Sequence, residues 1–275
     1  MYFTIQFKLR HNKQEYQFCQ VANVKGYGDI VTVYHITNED ACDNTVPLNE
    51  FDYAVFSACL SYFDKSYRCI FLGIIYHAMT GKTTEGGKRK VPPEIREFIL
   101  LSLKKLIGTI IEIDDAQVNA AFDYAKSGSK KCSAILPAWF VESTTINGNN
   151  ATVIFFEREC PLLKLAKAKR QIITYPTQLL DVPGQQNTFM NISLKNYALR
   201  RVLEIIAHNM TATLTFGDIF EKCRIENASH DKKCDARNNL VKFFEHLKTE
   251  SVIQDFTVVK KRNAFYSIKF AYVKE

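Results

Sequence analysis

The chain has 275 residues, 47% hydrophobic and 24% charged, with a net charge of +7, an ordinary globular composition long enough for one large domain or two average ones. No apolar run reaches the roughly 20 residues needed to cross a bilayer. Gln6, Lys8 and Arg10 interrupt the apolar N-terminus, which excludes a secretory signal core, so the chain reads as cytoplasmic with no membrane partner.

Residues 1–37 read as β-rich: "MYFTIQFKL", "QFCQVANV" and "DIVTVYHI" are short, alternating or β-branched, with Gly26 and Gly28 as breaks. A helix is expected from Glu50 to Phe63 after the start signals Pro47 and Asn49, and a second apolar segment, Tyr67 to Met79, has helical length. Residues 80–90 form a polar Gly/Lys loop. Pro92 and Pro93 open the next helix, where Ile95, Phe98, Ile99, Leu103, Leu106 and Ile107 share one face and Gly108 is the stop. Along it Glu94 and Glu97 accompany Arg96, Lys104 and Lys105, a mixture that suits weak DNA contact or a dimer surface. "TIIEID" reads as a strand, "AQVNAAFDYAK" as a short helix and "SGSKK" as a turn. "CSAILPAWFVESTTINGNNATVIFFE" reads as two strands around the hairpin signal Asn147-Gly148.

A short basic helix, "ECPLLKLAKAKRQ", carries Lys169 and Arg170. The stretch "IITYPTQLLDVPGQQNTFMN" is rich in proline and reads as an extended connector, giving units at 1–171 and 192–275 with residues 172–191 between them. The second unit begins with the amphipathic "ISLKNYALRRVLEIIAHN". "TLTFGDIFEKC" follows as a short strand and then a helix capped near Thr215. In "KKCDARNNLVKFFEHLKTE", Leu240, Phe243, Phe244 and Leu247 make an i, i+3, i+4, i+7 stripe. Two strands, Val252 to Val259 and Ala264 to Phe270, close the chain around a tip of Lys260, Lys261, Arg262 and Asn263, with Phe256, Phe265 and Ile268 expected to hold them to the helices. Helix, short strand, helix, helix, hairpin is the order of a winged helix, a helix-turn-helix with a β-hairpin added. The fold class is therefore α+β, with two tandem winged-helix-like domains and a β-rich N-terminal extension.

Charge is uneven. Residues 1–159 carry 17 basic and 18 acidic side chains, net −1, and residues 160–275 carry 19 and 11, net +8. A polyanion acting on the second half is the implied partner. Cations at the hairpin tip suit phosphate contact with counterion release. With the stripe inward, the same helix turns Asp235, Asn238, Lys242 and Glu245 outward and places Lys232, Arg237 and Lys248 on its flanks. Arg237 and Asn238 are of the types that pair with guanine and adenine edges. The expected DNA-contacting residues are therefore Lys232, Lys233, Arg237, Asn238, Lys242, Lys260, Lys261, Arg262 and Asn263, with Lys169 and Arg170 upstream. Asp235 and Glu245 on the same face would repel phosphate, which a base-reading helix inserted by its N-terminal half tolerates and a helix used for protein contact tolerates more easily.

Catalytic signatures are lacking. "TGKTT" has Tyr76 where a phosphate loop needs its first glycine, and the six histidines include no H-x-H pair and no H-E-x-x-H. No G-x-S-x-G occurs. Eight scattered cysteines form no C-x-x-C and read as reduced, buried thiols. Cys223, His230 and Cys234 lack both a zinc spacing and a fourth ligand. No enzyme activity, cofactor or metal is expected.

The two consecutive units over residues 50–275, the second more basic, resemble the replication initiators of iteron-carrying plasmids. The segment "YPTQLLDVPGQQNTFMNISLKNYALRRVLEII" is similar to one in initiator-like proteins of plasmids and phages, where an "LLD" connector leads into a helix of K-x-Y-x-L-R-R character. The first 40 residues lie outside the resemblance. It implies double-stranded DNA binding at repeats, no catalysis by this chain, a homodimer formed through the first unit, and replication machinery as partner. A transcriptional regulator, a protein-interaction module and a nucleic-acid enzyme with an unrecognised site are the alternatives.

Overall fold

The computed structural model describes residues 2–5, 8–11, 19–24, 28–35, 48–82, 91–114, 130–146, 149–168, 172–261 and 264–272. The fold is α+β. The short helix expected at 116–126 and most of the 80–90 loop lie outside the described residues. Among the described residues no helix is long and apolar enough to cross a membrane.

Strands β1 (Tyr2–Ile5), β2 (Lys8–His11), β3 (Cys19–Val24) and β4 (Gly28–His35) precede helix α1 (Glu50–Asp64). Asn49 starts α1 with a capping box: its side chain accepts from the Asp52 amide at 3.0 Å, and its own amide donates to Asp52 Oδ2 at 2.9 Å. Strand β5 (Cys69–Phe71) and helix α2 (Leu72–Thr80) follow. Apolar pattern alone merges these into one helix. Pairing of Ile70 with Ile154 holds β5 extended, a distant partner that local pattern does not reveal. Gly81 ends α2 at φ 75°, the left-handed conformation glycine favours.

Helix α3 (Pro93–Gly108) carries proline in its first turn. Strands β6 (Thr109–Asp114) and β7 (Lys130–Ala134) join the N-terminal strands in an antiparallel sheet ordered β2-β3-β4-β6-β7. Lys130 and Lys131, turn residues by composition, thus open a strand. Leu136 and Pro137 then separate β7 from β8 (Ala138–Ile146), which pairs with β9 (Asn149–Phe156). The sheet order β5-β9-β8 places the short strand beside the second strand of the hairpin.

Helix α4 (Pro161–Ala168) and β10 (Ile172–Tyr175) lead to a 3₁₀ turn at Thr177–Leu180. β10 pairs with β1, Phe3 opposite Thr174. The stretch expected as an extended connector is therefore packed: Leu179, Leu180 and Val182 are buried among the side chains of the second unit. That unit runs α5 (Phe189–Ala207), β11 (Thr213–Thr215), α6 (Phe216–Lys222), α7 (His230–Thr249), β12 (Asp255–Lys261) and β13 (Ala264–Ala271). Its sheet order is β11-β13-β12, the same arrangement as β5-β9-β8.

Two apolar clusters result. One gathers Phe51, Val55, Ile75, Ile99, Leu103 and Ile154, and the other Leu180, Leu199, Val202, Phe243, Phe244 and Ile268. Helix α5 serves both. Ile192 belongs to the first cluster, and Phe189 stacks on Phe51 with ring centroids 4.7 Å apart, whereas Leu194, Tyr197, Ala198, Leu199, Val202 and Ile205 belong to the second. Asn196 Nδ2 donates to the Met79 carbonyl at 3.0 Å, and Arg200 pairs with the buried carboxylate of Glu50.

Candidate nucleic-acid interface

Helix α7 begins at Ser229, whose hydroxyl accepts from the Lys232 amide at 3.4 Å. Leu240, Phe243, Phe244 and Leu247 are buried as the stripe requires, each at 1% exposure or less. Polar bonds fix the helix from its flank: Asn239 Nδ2 donates to Asn191 Oδ1 at 2.9 Å, and Gln185 Nε2 donates to the Asn239 carbonyl at 3.1 Å. The opposite face leaves Asp235, Asn238, Lys242 and Glu245 exposed, with Lys232 exposed and Lys233 half-buried near the helix start. Lys248 is held by Asp255 at 2.8 Å and is engaged with β12.

The hairpin carries a β-bulge. Val258 lies opposite Ile268 and Val259 opposite Ser267, but Lys260 lies opposite Phe265, which leaves Tyr266 as the extra residue. A bulge re-aims the side chains beyond it. Here it brings Phe265 to the side of Val258 and Lys260. The Phe265 ring meets the Phe216 ring edge-on at 6.4 Å, and the Arg237 guanidinium lies 5.8 Å from its centroid. The same guanidinium lies 5.5 Å from the centroid of Phe220 on α6. Lys260 Nζ sits 4.9 Å from the Phe265 centroid, and Lys261 Nζ 5.2 Å from that of Tyr266. Arg237 and Lys260 thus share the Phe265 ring where α6, α7 and the hairpin meet, and Lys261 rests on Tyr266 of the neighbouring strand.

Phe265 and Tyr266 are 41% and 48% exposed, large values for aromatic side chains. Strict alternation would set Phe265 on the face opposite Ile268 and Phe270; the bulge brings it to their side, where it meets Phe216 and Arg237. Phe256 and Ile268 hold the hairpin as expected, joined by the buried Phe270, while Phe265 makes its contact at the exposed margin.

The expected residues are partly assembled. Lys260 and Arg237 share the Phe265 ring, Lys261 lies on Tyr266 of the same hairpin, and Asn238 and Lys242 occupy the exposed side of α7. Arg237 is half-buried between two rings, and its Nε is buried with no hydrogen-bond partner among the described residues, so its placement departs from that of a side chain reaching outward to a base edge. Lys169, Arg170, Arg262 and Asn263 lie outside the described residues. Sequence reasoning missed the aromatic partners Phe220, Phe265 and Tyr266. Adjacent aromatics beside a lysine pair were the available signal, but the bulge that aims them is not readable from pattern.

Cys223, His230 and Cys234 do not converge. Cys234 Sγ lies 3.4 Å from His230 Nε2, whereas Cys223 is buried in the second core, where burial pushes its thiol well above the usual range. Among the described residues no group of three His, Cys, Asp or Glu side chains is placed to hold a metal. Cys59 and Cys160 are buried, but Cys69 is exposed on β5.

In the first unit, the cations of α3 are largely engaged. Arg96 donates to Thr152 Oγ1 at 3.1 Å, and Lys105 lies 3.4 Å from buried Asp52, leaving Lys104 exposed. The sheet β5-β9-β8 instead presents apolar side chains outward. Trp139 stacks on Phe155 at 4.3 Å and is 46% exposed, with Phe71 and Val141 exposed beside it.

No protein-family model and no curated protein matches the chain. Among solved structures it is similar to the crystal structure of selenomethionine derivatives of domain 2 and domain 3 of RctB, with a TM-score of 0.38 and 9% sequence identity over 98% of this chain and 92% of that one.

Proposed function

We propose that this chain is a sequence-specific double-stranded DNA-binding protein of two winged-helix-like units, acting as a replication initiator of the iteron-plasmid type, in the cytoplasm and without catalysis of its own. The observation that carries the DNA reading is the set of hairpin lysines on exposed rings, Lys260 on Phe265 together with Arg237 of α7 and Lys261 on Tyr266, in the half of the chain with net charge +8. Element order and the strand order β11-β13-β12 support the winged-helix description of the second unit.

In this reading Asn238 and Lys242 face the bases, and Lys232, Lys260 and Lys261 contact phosphates, with Arg262, Asn263, Lys169 and Arg170 extending the contact by sequence. The initiator assignment rests on the resemblance of residues 50–275, and a role as repressor of its own promoter is compatible with the same contacts. The three contacts of Lys232, Lys260 and Lys261 alone would give a log K versus log[salt] slope of about −2.7, roughly a 40-fold loss of affinity between 50 and 200 mM salt. A gel-shift titration of a labelled duplex over that range tests the reading.

The first unit takes a different role. Its engaged cations and the apolar face around Trp139 favour a protein contact, and we assign that face to a homodimer.

A further inference from the structure

We propose that Arg237 is a positioning residue, a latch that holds the outer half of the hairpin against α7 so that Lys260 and Lys261 lie beside the exposed face of that helix. The inference rests on reading α7 and the hairpin as one DNA-contacting surface, and it gives Arg237 a role other than base recognition.

Three elements meet at this side chain. It leaves α7 and enters the space between Phe220 of α6 and Phe265 of β13, with its guanidinium 5.5 and 5.8 Å from the two centroids. A guanidinium is planar and weakly hydrated, so it stacks on rings where an ammonium would keep its water. Its hydrogen bonding is correspondingly poor. Among the described residues, Nε is buried with no partner and Nη1 donates only to Cys234 Sγ, at 3.7 Å, within its own helix. A residue built to read a base keeps its donors outward, as the neighbouring exposed Asn238 does.

The hairpin needs such a latch because its core packing stops at the bulge. Ile268 and Phe270 are buried, and Phe256 packs on Phe244 at 5.6 Å. Beyond the bulge, Phe265 reaches the helices through Phe216 and Arg237. Without the guanidinium, the segment carrying Lys260 and Lys261 keeps only the edge contact with Phe216.

The test compares Arg237→Ala, Arg237→Lys and Phe265→Leu in the full chain. Phe265 has no group that recognises a base, so a phenotype shared by its variant and Arg237→Ala marks a latch. The first readout is amide hydrogen exchange. Both variants should exchange at least tenfold faster at Lys260, Lys261 and Phe265 while Ile268 and Phe270 keep their protection. Arg237→Lys should fall between them and the parent. The second readout is a double-mutant cycle with Lys260→Ala/Lys261→Ala, on duplexes selected by the parent chain from a random pool. Arg237→Ala should weaken all sequences alike and remove most of the effect of the lysine pair. Unchanged exchange in the variants, or an additive cycle with preference lost at one base position, overturns the latch. Should Arg237→Ala fail to fold, Phe265→Leu and Arg237→Lys carry the same comparison. If the parent binds no duplex, the DNA reading fails while the exchange data still decide the latch.

Discussion

The ammonium of Lys195 donates to the Leu180 carbonyl at 2.6 Å and to Asn187 Oδ1 at 2.8 Å, and the lysine is only 2% exposed. Burial, opposed by Asp181, lowers its pKa to about 8. An unfolded lysine titrates near 10.4. Between these values the unfolded chain binds the extra proton, so raising the pH favours the folded state. The parent should therefore gain about 2 kcal/mol relative to Lys195→Met from pH 8 to pH 10, and nothing between pH 6 and 7. Urea unfolding of both proteins across that range checks it. Parallel pH profiles would show that Lys195 keeps its ordinary pKa.

Gly81 lies against the same turn. A Cβ at this position would stand 2.3 Å from the Thr177 carbonyl oxygen and 2.6 Å from the Asp181 amide, with φ at 75°. Gly81→Ala should cost at least about 2 kcal/mol, from backbone strain and from displacement of the 3₁₀ turn. Thermal unfolding reads the loss, and a stability within about 0.5 kcal/mol of the parent contradicts the close approach.

Arg200 links the two apolar clusters through Glu50 and also lies 5.5 Å from the Tyr53 ring and 5.6 Å from the Tyr197 ring. Removing one member leaves a buried charge, so Arg200→Met should cost about 3 kcal/mol, whereas Glu50→Gln/Arg200→Met should recover most of it. Fluorescence of Trp139, the one tryptophan in the sequence, follows the first unit during denaturation. Because Glu50 belongs to that unit, its midpoint should move when Arg200 is replaced. An unmoved Trp139 transition would mean that α5 does not support the first unit.

What is legible in the sequence follows from period. The stripe Leu240, Phe243, Phe244, Leu247 is buried as written, the Thr215 cap accepts from the Asp218 amide at 3.1 Å, and a closing hairpin is present, although β12 runs Asp255–Lys261 rather than Val252 to Val259 and takes in Lys260 and Lys261, expected at the tip. What is not legible depends on pairing between distant segments. β5 is extended because Ile154 pairs with Ile70, and the connector packs because Leu179 and Leu180 find the second core. The bulge at Val259/Lys260 turns Phe265 toward Arg237, a relation among positions 237, 260 and 265 that no local window contains. At the candidate interface, pattern reveals the exposed face of α7 but not the rings beneath the cations.

The apolar face of the first unit yields an assembly prediction. Trp139 and Phe71 are exposed on adjoining parts of one sheet. If this face joins two copies, Trp139→Lys should weaken dimerisation by about 30-fold or more, the effect of losing an aromatic anchor at an interface centre. Sedimentation equilibrium measures it. A parent that is monomeric at tens of micromolar, or a variant that dimerises equally, removes this face from the account.

The central claim is that the hairpin and α7 engage DNA by neutralising phosphates, and its most direct test is the salt dependence of binding. A labelled duplex is titrated with the parent chain and with Lys260→Ala/Lys261→Ala between about 50 and 200 mM salt, after circular dichroism shows both folded. The account predicts binding by the parent and a log K versus log[salt] slope flatter by about 1.8 in the variant, because two phosphates are no longer neutralised, with affinity lowered on all sequences alike. No binding by the parent, or an unchanged affinity and slope in the folded variant, would contradict it.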